Sequence, residues 1–294
     1  MLRYVLIIML SFLPVLVLAE MDSTLENVSH PPIGIIDPEI VDIGYSGREI
    51  LQYDVSWSGG IKIGELRLEV TAIDGSEMEG RENPFEIKAF VSTKGGAVHL
   101  LYPISDVHVT KVYGPKKLPY FYEVWQEEGY NYKAHRVLTY DQEKRRIRYM
   151  KNDKLEGEYQ VEGEVNNEFS SFFNSRLMDL SSAYPFVVPT FADKKRVEVA
   201  VYAKGVQKIE KTLLGDISAV KVMPVMKFKG LYDKKGDTVI WYSNDKCRVP
   251  VKINSKIAIG SLTAQLTEYE NPACDIYPSA HKNNVPDTDI KGDT

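Results

Sequence analysis

Histidine, tryptophan and cysteine are scarce in this 294-residue chain, which holds five, three and two of them. The histidines, His30, His99, His108, His135 and His281, stand at no helical or hairpin ligand spacing, so no histidine-based metal centre is expected. A G-x-S-x-G elbow is missing, as is a glycine-rich loop leading into a helix, which removes the usual signatures of serine hydrolases and phosphate-loop enzymes. Two S-x-x-K matches, Ser218 with Lys221 and Ser243 with Lys246, fall in strand context, whereas acyl chemistry needs both groups on one helix face. Positive charge is in deficit, 36 Lys and Arg against 41 Asp and Glu, so the chain offers no broad footprint for nucleic acid. No cofactor and no metal are expected.

The apolar stretch at the start, Tyr4 to Leu18, is too short for a spanning helix. With Arg3 before it, Val17-Leu18-Ala19 at its end and the charged Glu20-Met21-Asp22 following, it has the form of a cleaved secretory signal peptide over residues 1–19. No cysteine stands near the cleavage point, which excludes a bacterial lipoprotein anchor. Loss of the leader removes Arg3 alone among charged residues and takes the formal charge from −5 to −6. The expected address is the periplasm, with no stable membrane span after cleavage.

What is abundant is tyrosine, eighteen residues, a side chain suited to half-buried pleated surface. Residues 20–47, with "HPPIGIIDPEI", have no period and read as an extended N-terminal arm. Strict alternation begins after Arg48: Leu51, Tyr53, Val55 and Trp57 share one face, and Gly59-Gly60 offers a two-residue hairpin turn. Ile61 and Ile63 keep the odd parity, but Leu66, Leu68 and Val70 are even. A glycine at the change, Gly64, predicts a β-bulge and a coiled sheet. Alternating stretches at 85–92, 106–113, 118–126, 130–140, 145–151, 154–163, 195–205, 206–214, 217–230, 237–245, 247–254 and 256–270 are separated by turn residues and predict antiparallel strands. Between the two blocks, Phe169, Phe172, Phe173, Leu177 and Leu180 predict one amphipathic helix within 166–185, stopped by Pro185. The fold class is all-β: strongly curved antiparallel sheets forming an open or partly closed barrel with that helix packed on it. A single domain over 48–274 and a disordered tail over 275–294 complete the organisation.

In order, "LQYDVSWSGGIKIGEL", "LLYPISDVHV", "LLGDISAVKVMPVM", "VIWYSNDKCRVPVKI" and "IGSLTAQL" resemble the bacterial exported proteins of the domain of unknown function 3108 family, over roughly residues 50–270. Trp241, Asp245, Arg248, Pro250 and Val251 carry the most telling block. The resemblance implies an envelope protein of Gram-negative bacteria with a curved antiparallel fold, reminiscent of lipoprotein-carrier and capsule-associated proteins, and implies no activity.

Cys247 and Cys274, outside the family pattern, are expected to form a structural disulfide in an oxidising compartment. A hairpin turning at Gly260-Ser261 sets them opposite each other; one turning at Asn254-Ser255 does not, and the tail would then have to fold back after Pro272. Asp245 and Arg248 are read as a local ion pair after Trp241.

For ligand binding the candidates are Tyr120, Tyr122, Trp125, Tyr130 and Tyr132, which bracket a turn at Glu128-Gly129 and put aromatics on both faces of a hairpin. Lys144, Arg145, Arg146, Arg148 and Lys151 form a basic strand, read as a solvated edge or as a contact for acidic sugars or lipid phosphates. Asp54 and Glu65 meet across the first hairpin, as a polysaccharide hydrolase would need or as two solvated carboxylates would equally do. The expected function is a non-catalytic binder or escort of a lipidic or glycan envelope component. The alternatives are a carboxylate-based hydrolase of envelope polysaccharide and a scaffold for an envelope protein partner.

Overall fold

The computed structural model describes residues 31–58, 60–74, 82–94, 100, 102–182, 184–227, 238–257 and 260–281. The expected signal peptide, Gly59, and the end of the expected disordered tail lie outside these residues.

One antiparallel sheet dominates. Strands β1 (Arg48–Trp57), β2 (Ile61–Ala72), β3 (Phe85–Thr93), β4 (Ile104–Tyr113), β5 (Leu118–Glu128), β6 (Tyr132–Asp141), β7 (Arg146–Lys151) and β8 (Lys154–Gln160) follow one another as a meander. The chain then crosses through a helix and walks back along β9 (Phe186–Ala192), β10 (Lys195–Thr212), β11 (Gly215–Lys227), β12 (Thr238–Ser243), β13 (Pro250–Ile257) and β14 (Gly260–Glu270). The last of these pairs with β1, so the two meanders join at their chain-terminal strands, and β8 and β9 are left as the sheet's edges. A short β15 (Ser279–His281), within the tail expected to be disordered, pairs antiparallel with the end of β14.

The sheet is not closed by strand pairing, yet the edge of β9 is covered. Asn166, on the link from β8, donates its backbone N–H to Pro189 O (2.8 Å) and accepts from Phe191 N–H (2.7 Å). Pro32 and Gly34 exchange hydrogen bonds with Val187 further along the same edge. Unpaired backbone groups of an edge strand invite foreign strands, and these two segments occupy them.

The bulge has a concrete form. Val55 pairs with Gly64 but Ser56 pairs with Lys62, so Ile63 and Gly64 are both turned inward and the parity changes there. A Cβ on Gly64 would overlap the carbonyl oxygen of Ser92 on β3, so the close approach of β3 also requires glycine. Trp57 pairs with Ile61, so three residues separate β1 from β2 instead of the two expected.

Other expectations need correction. The arm contains a helix, α1 (Pro38–Gly44), capped by the Asp37 side chain and started by Pro38 at its first position, signals that its proline richness obscured. The central helix, α2 (Glu168–Arg176), is shorter than predicted and ends well before Pro185. Asn167 and Ser170 form a reciprocal capping box, and Met178, just past the Leu177 C-cap, turns into a bridge with Ile36. It is not amphipathic: Ser170, Asn174 and Arg176 are as buried as Phe169 and Phe173, because sheet surrounds it. Strand β9 is not among the expected strands; Pro189 within it sits where its missing N–H is harmless, on an edge. Residues 195–212 are one strand with a register shift at Gly205, where two were expected. Asn254 and Ser255 lie inside β13, which pairs with β14 up to Ile257 opposite Gly260.

Cys247 and Cys274 are bonded, with Cα atoms 5.6 Å apart. Neither of the two hairpin registers accounts for this. The bond forms because a turn closed by Cys274 N–H on Asn271 O brings the chain back after β14, against the loop that holds Cys247.

Candidate functional site

Curling the meander around α2 leaves a cavity of about 580 Å³ that is partly open to solvent. Its walls come from inward-facing positions of both halves: Leu66 and Leu68 on β2, Val199 and Val201 on β10, Ile240 on β12 and Ile253 on β13. Phe169 and Phe172 of α2 face it from the inside. Predominantly apolar walls with a few convergent polar groups are what small-molecule sites have in common.

The polar groups gather on one wall, set by register. Asp106 stands opposite Gln126, and His108, Val124 and Arg136 form the next row across β4, β5 and β6. Tyr122 on β5 and Glu168 from α2 complete the patch. His108 Nδ1 lies 2.8 Å from the Tyr122 hydroxyl, and its ring is tilted against Phe169 with centroids 4.9 Å apart. Burial, aided by the Arg136 charge, lowers His108 to about 3, so the imidazole is neutral. The Tyr122 hydroxyl is held well above its ordinary range by burial.

Three acids line this space, Asp106, Glu168 and, at the turn from β9 to β10, Asp193. Burial raises Asp106 to about 6 against the opposing pull of Glu127 N–H, which donates to its Oδ1 at 3.0 Å. Burial raises Glu168 to about 7. Glu168 lines the cavity and keeps part of its surface accessible. Arg136 donates from Nη2 to the Tyr132 hydroxyl at 2.7 Å, and its buried Nε has no hydrogen-bond partner.

The structure splits the aromatic hairpin. Of the five candidates, Tyr122 alone lines the cavity, and Tyr132 reaches it only through its bond to Arg136. Tyr120 is buried edge-to-face against Tyr113, while Trp125 lies on the outer face, stacked on His135 at 5.2 Å. Tyr130 is exposed and its hydroxyl donates to Leu100 O. The residues missed were Asp106, His108, Gln126, Arg136 and Glu168. One signal was available: Arg136 sits on the same parity as Tyr132, Ala134, Leu138 and Tyr140, a cation in an otherwise inward-facing row.

Elsewhere, Asp54 and Glu65 do stand opposite each other, but on the outer face, where Lys62 bridges them at 2.6 and 3.0 Å. Burial opposes the ionised form of Glu65, yet Lys94 and Lys62 together hold it below its usual range, the reverse of a general acid. Asp245 and Arg248 form no ion pair. The Asp245 carboxylate instead accepts from Ser243 Oγ and from the N–H groups of Cys247 and Arg248, fixing the turn that presents the disulfide. Pro250 accepts at its carbonyl from the buried Tyr53 hydroxyl (2.8 Å), and Lys252 lies over the Trp241 ring. Ser243 and Lys246 are committed to Asp245 and Asp275, so that pair does not meet. Among the described residues no cluster of three or more metal-ligating side chains occurs, and no helix is long and apolar enough to cross a membrane.

The chain belongs to the family described as protein of unknown function DUF3108, whose model matches residues 52–267. Among solved structures it is similar to a beta-barrel-like protein of domain of unknown function DUF1849 from Brucella abortus, at 7% identity and a TM-score of 0.49, over 76% of this chain and 97% of that one. No curated protein matches.

Proposed function

We propose that this member of the DUF3108 family is an exported, periplasmic envelope protein that binds a lipidic envelope component inside its barrel-like sheet without transforming it. The carrying observation is the partly open cavity of about 580 Å³, which lies within the range of small-molecule sites and has apolar side chains over most of its wall. A disulfide is consistent with an oxidising compartment. The test is native mass spectrometry, followed by organic extraction, of the protein isolated gently from the periplasm of a Gram-negative host. A stoichiometric lipid is the expected result. An empty protein that also fails to take up the neutral apolar fluorophore N-phenyl-1-naphthylamine would overturn the reading.

One observation favours a second reading, acid–base hydrolysis of an envelope glycan: two carboxyls with raised pKa, Asp106 and Glu168, face the same cavity. Paired catalytic carboxyls perturb one another, whereas each of these is shifted chiefly by burial. Turnover of peptidoglycan or capsule fragments that is lost in Glu168→Gln would favour the enzyme.

A further inference from the structure

Arginine inside a protein needs an anion more than any other side chain does. It cannot escape by losing a proton, and a buried charge without a counter-ion destabilises the fold. Arg136 is in that position. Its side chain lines the cavity, its Nε is buried without a partner, and Nη2 is satisfied only by the neutral hydroxyl of Tyr132. Among the described residues it makes no ion pair.

Three acids line the cavity, Asp106, Glu168 and Asp193; Arg136 acts on Asp106 and Glu168 through its field, but none of the three forms an ion pair with the guanidinium. Asp106 spends Oδ1 on the backbone of Glu127 and stands outside ion-pair distance of the guanidinium. Burial pushes Glu168 up to about 7, which weakens its hold on the charge. His108, Gln126, Tyr122 and Tyr149 stand around the guanidinium, and none of them offers it an anion. The Gln126 Oε1 is also buried without a partner, so this wall holds unmet donors and acceptors together. At the rim, the turn from β9 to β10 places Lys194 over the Tyr149 ring, where it pairs with Glu156 at 3.7 Å beside Asp193, so the rim carries both signs and Arg136 is the cation left for a ligand inside.

We propose that the cavity selects an amphiphile with an anionic head, phosphate or carboxylate, which pairs with the Arg136 guanidinium while its acyl chain lies against Leu66, Leu68, Val199, Val201 and Ile240. The inference rests on the lipid-binding reading above and names its ligand class. A planar guanidinium matches phosphate and carboxylate oxygens two at a time, and it does so most strongly where water is displaced. Tyr132 is a positioning residue, since it holds one arm of the fork and leaves the other groups for the ligand.

The test uses the whole mature chain, stripped of lipid, at pH 7.5 and constant ionic strength. Displacement of bound N-phenyl-1-naphthylamine is followed with dodecyl phosphate, laurate, 1-dodecanol and inorganic phosphate. Both anionic amphiphiles should displace the fluorophore at concentrations at least tenfold lower than dodecanol, and inorganic phosphate should not displace it. In Arg136→Met the advantage over dodecanol should vanish with dodecanol itself unchanged, and Arg136→Lys should restore part of it. Should Arg136→Met fail to fold, the discrimination by the unaltered protein and its reduction in Tyr132→Phe still decide the matter. Equal displacement by dodecanol and the anions would overturn the anionic head and leave the lipid cavity standing. Inorganic phosphate binding as well as dodecyl phosphate would assign a free-anion site and overturn the amphiphile. Fluorophore uptake with displacement by none of the four would also overturn it, whereas absence of any uptake would sink the lipid-binding reading itself.

Discussion

Arg176 and Glu49 form the most demanding interaction in the molecule. The guanidinium Nη2 donates to Glu49 Oε2 at 2.6 Å, with side-chain exposures of 0% and 1%, and ties α2 to β1. Burial works against the charged form of Arg176, but the Glu49 carboxylate outweighs it and raises the arginine further. Removing one member of such a pair strands the other, at about 3–5 kcal/mol. The two removals should differ in their pH dependence. In Glu49→Gln the stranded arginine cannot deprotonate, so the loss should be the same from pH 5 to 8. In Arg176→Met the stranded glutamate can take a proton, which costs about 1.4 kcal/mol for each pH unit above a free glutamate's titration near 4.3. That caps the loss at about 1 kcal/mol at pH 5 and at about 4 kcal/mol at pH 7. Urea unfolding followed by circular dichroism, referenced to the unaltered protein at each pH, measures both. At pH 7, a change of this size corresponds to a fall in Tm of about 6–20 °C for a domain of this length. A loss under 1 kcal/mol in both variants at pH 7, or a loss in Arg176→Met that does not grow with pH, would refute the reasoning.

Three further outcomes are expected. Gly64→Ala should cost about 1–3 kcal/mol by urea unfolding, since its Cβ meets a backbone oxygen on β3 that cannot swing away, whereas in Gly157→Ala the added Cβ meets only the end of the Tyr159 side chain, which can move, so the cost should be smaller. Reducing the Cys247–Cys274 bond, which closes a separation of 27 residues, should lower stability by about 3.5 kcal/mol in the loop-entropy model, and Cys247→Ala/Cys274→Ala should reproduce that loss without reductant. The raised carboxyls act in the opposite sense to a salt-bridged acid: folded Glu168 titrates near 7 and the unfolded chain near 4.5, so the native state binds the extra proton and stability should fall as pH rises between those values, levelling off above 7. Glu168→Gln should flatten that slope in a pH series of urea midpoints; an unchanged slope would count against burial as its cause.

The strands and the bulge were readable because their information is local. Alternation from Leu51 to Trp57 and the change of parity at Gly64 need no knowledge of partners. The boundaries of α2 and the existence of β9 were not, because both depend on what surrounds them. Pro189 is forbidden in a central strand and harmless at an edge, and only topology says that β9 is an edge. Ser170, Asn174 and Arg176 look like the polar face of an amphipathic helix until the sheet closes over that face too. The same limit hid the site. Tyr122 and Trp125 are three positions apart on one strand and therefore point to opposite faces, yet nothing local says which face is the inside. Arg136, alone among charged residues in its row, marked the inside more plainly than any aromatic did.

Helix α2 links the stability of the fold to the cavity. Its first turn supplies Glu168 and Phe169 to the cavity wall, while its last residue is Arg176, clamped to Glu49. Between them, Asn174 accepts from the Tyr45 hydroxyl at 2.9 Å and donates to Asn166 at 2.9 Å, the residue that covers the edge of β9. One nine-residue helix thus holds the seam between β1 and β14 at its C-terminal end, the open edge through its middle and the cavity through its start. An apolar plug would fill the same volume and pack well, but it would not fix the rotation of the helix, because apolar contacts are not directional. The buried polar contacts do fix it, since each must meet one partner or leave an unsatisfied group in the interior. That rotation places Glu168 and Phe169 toward Arg136's wall and keeps the space between them open.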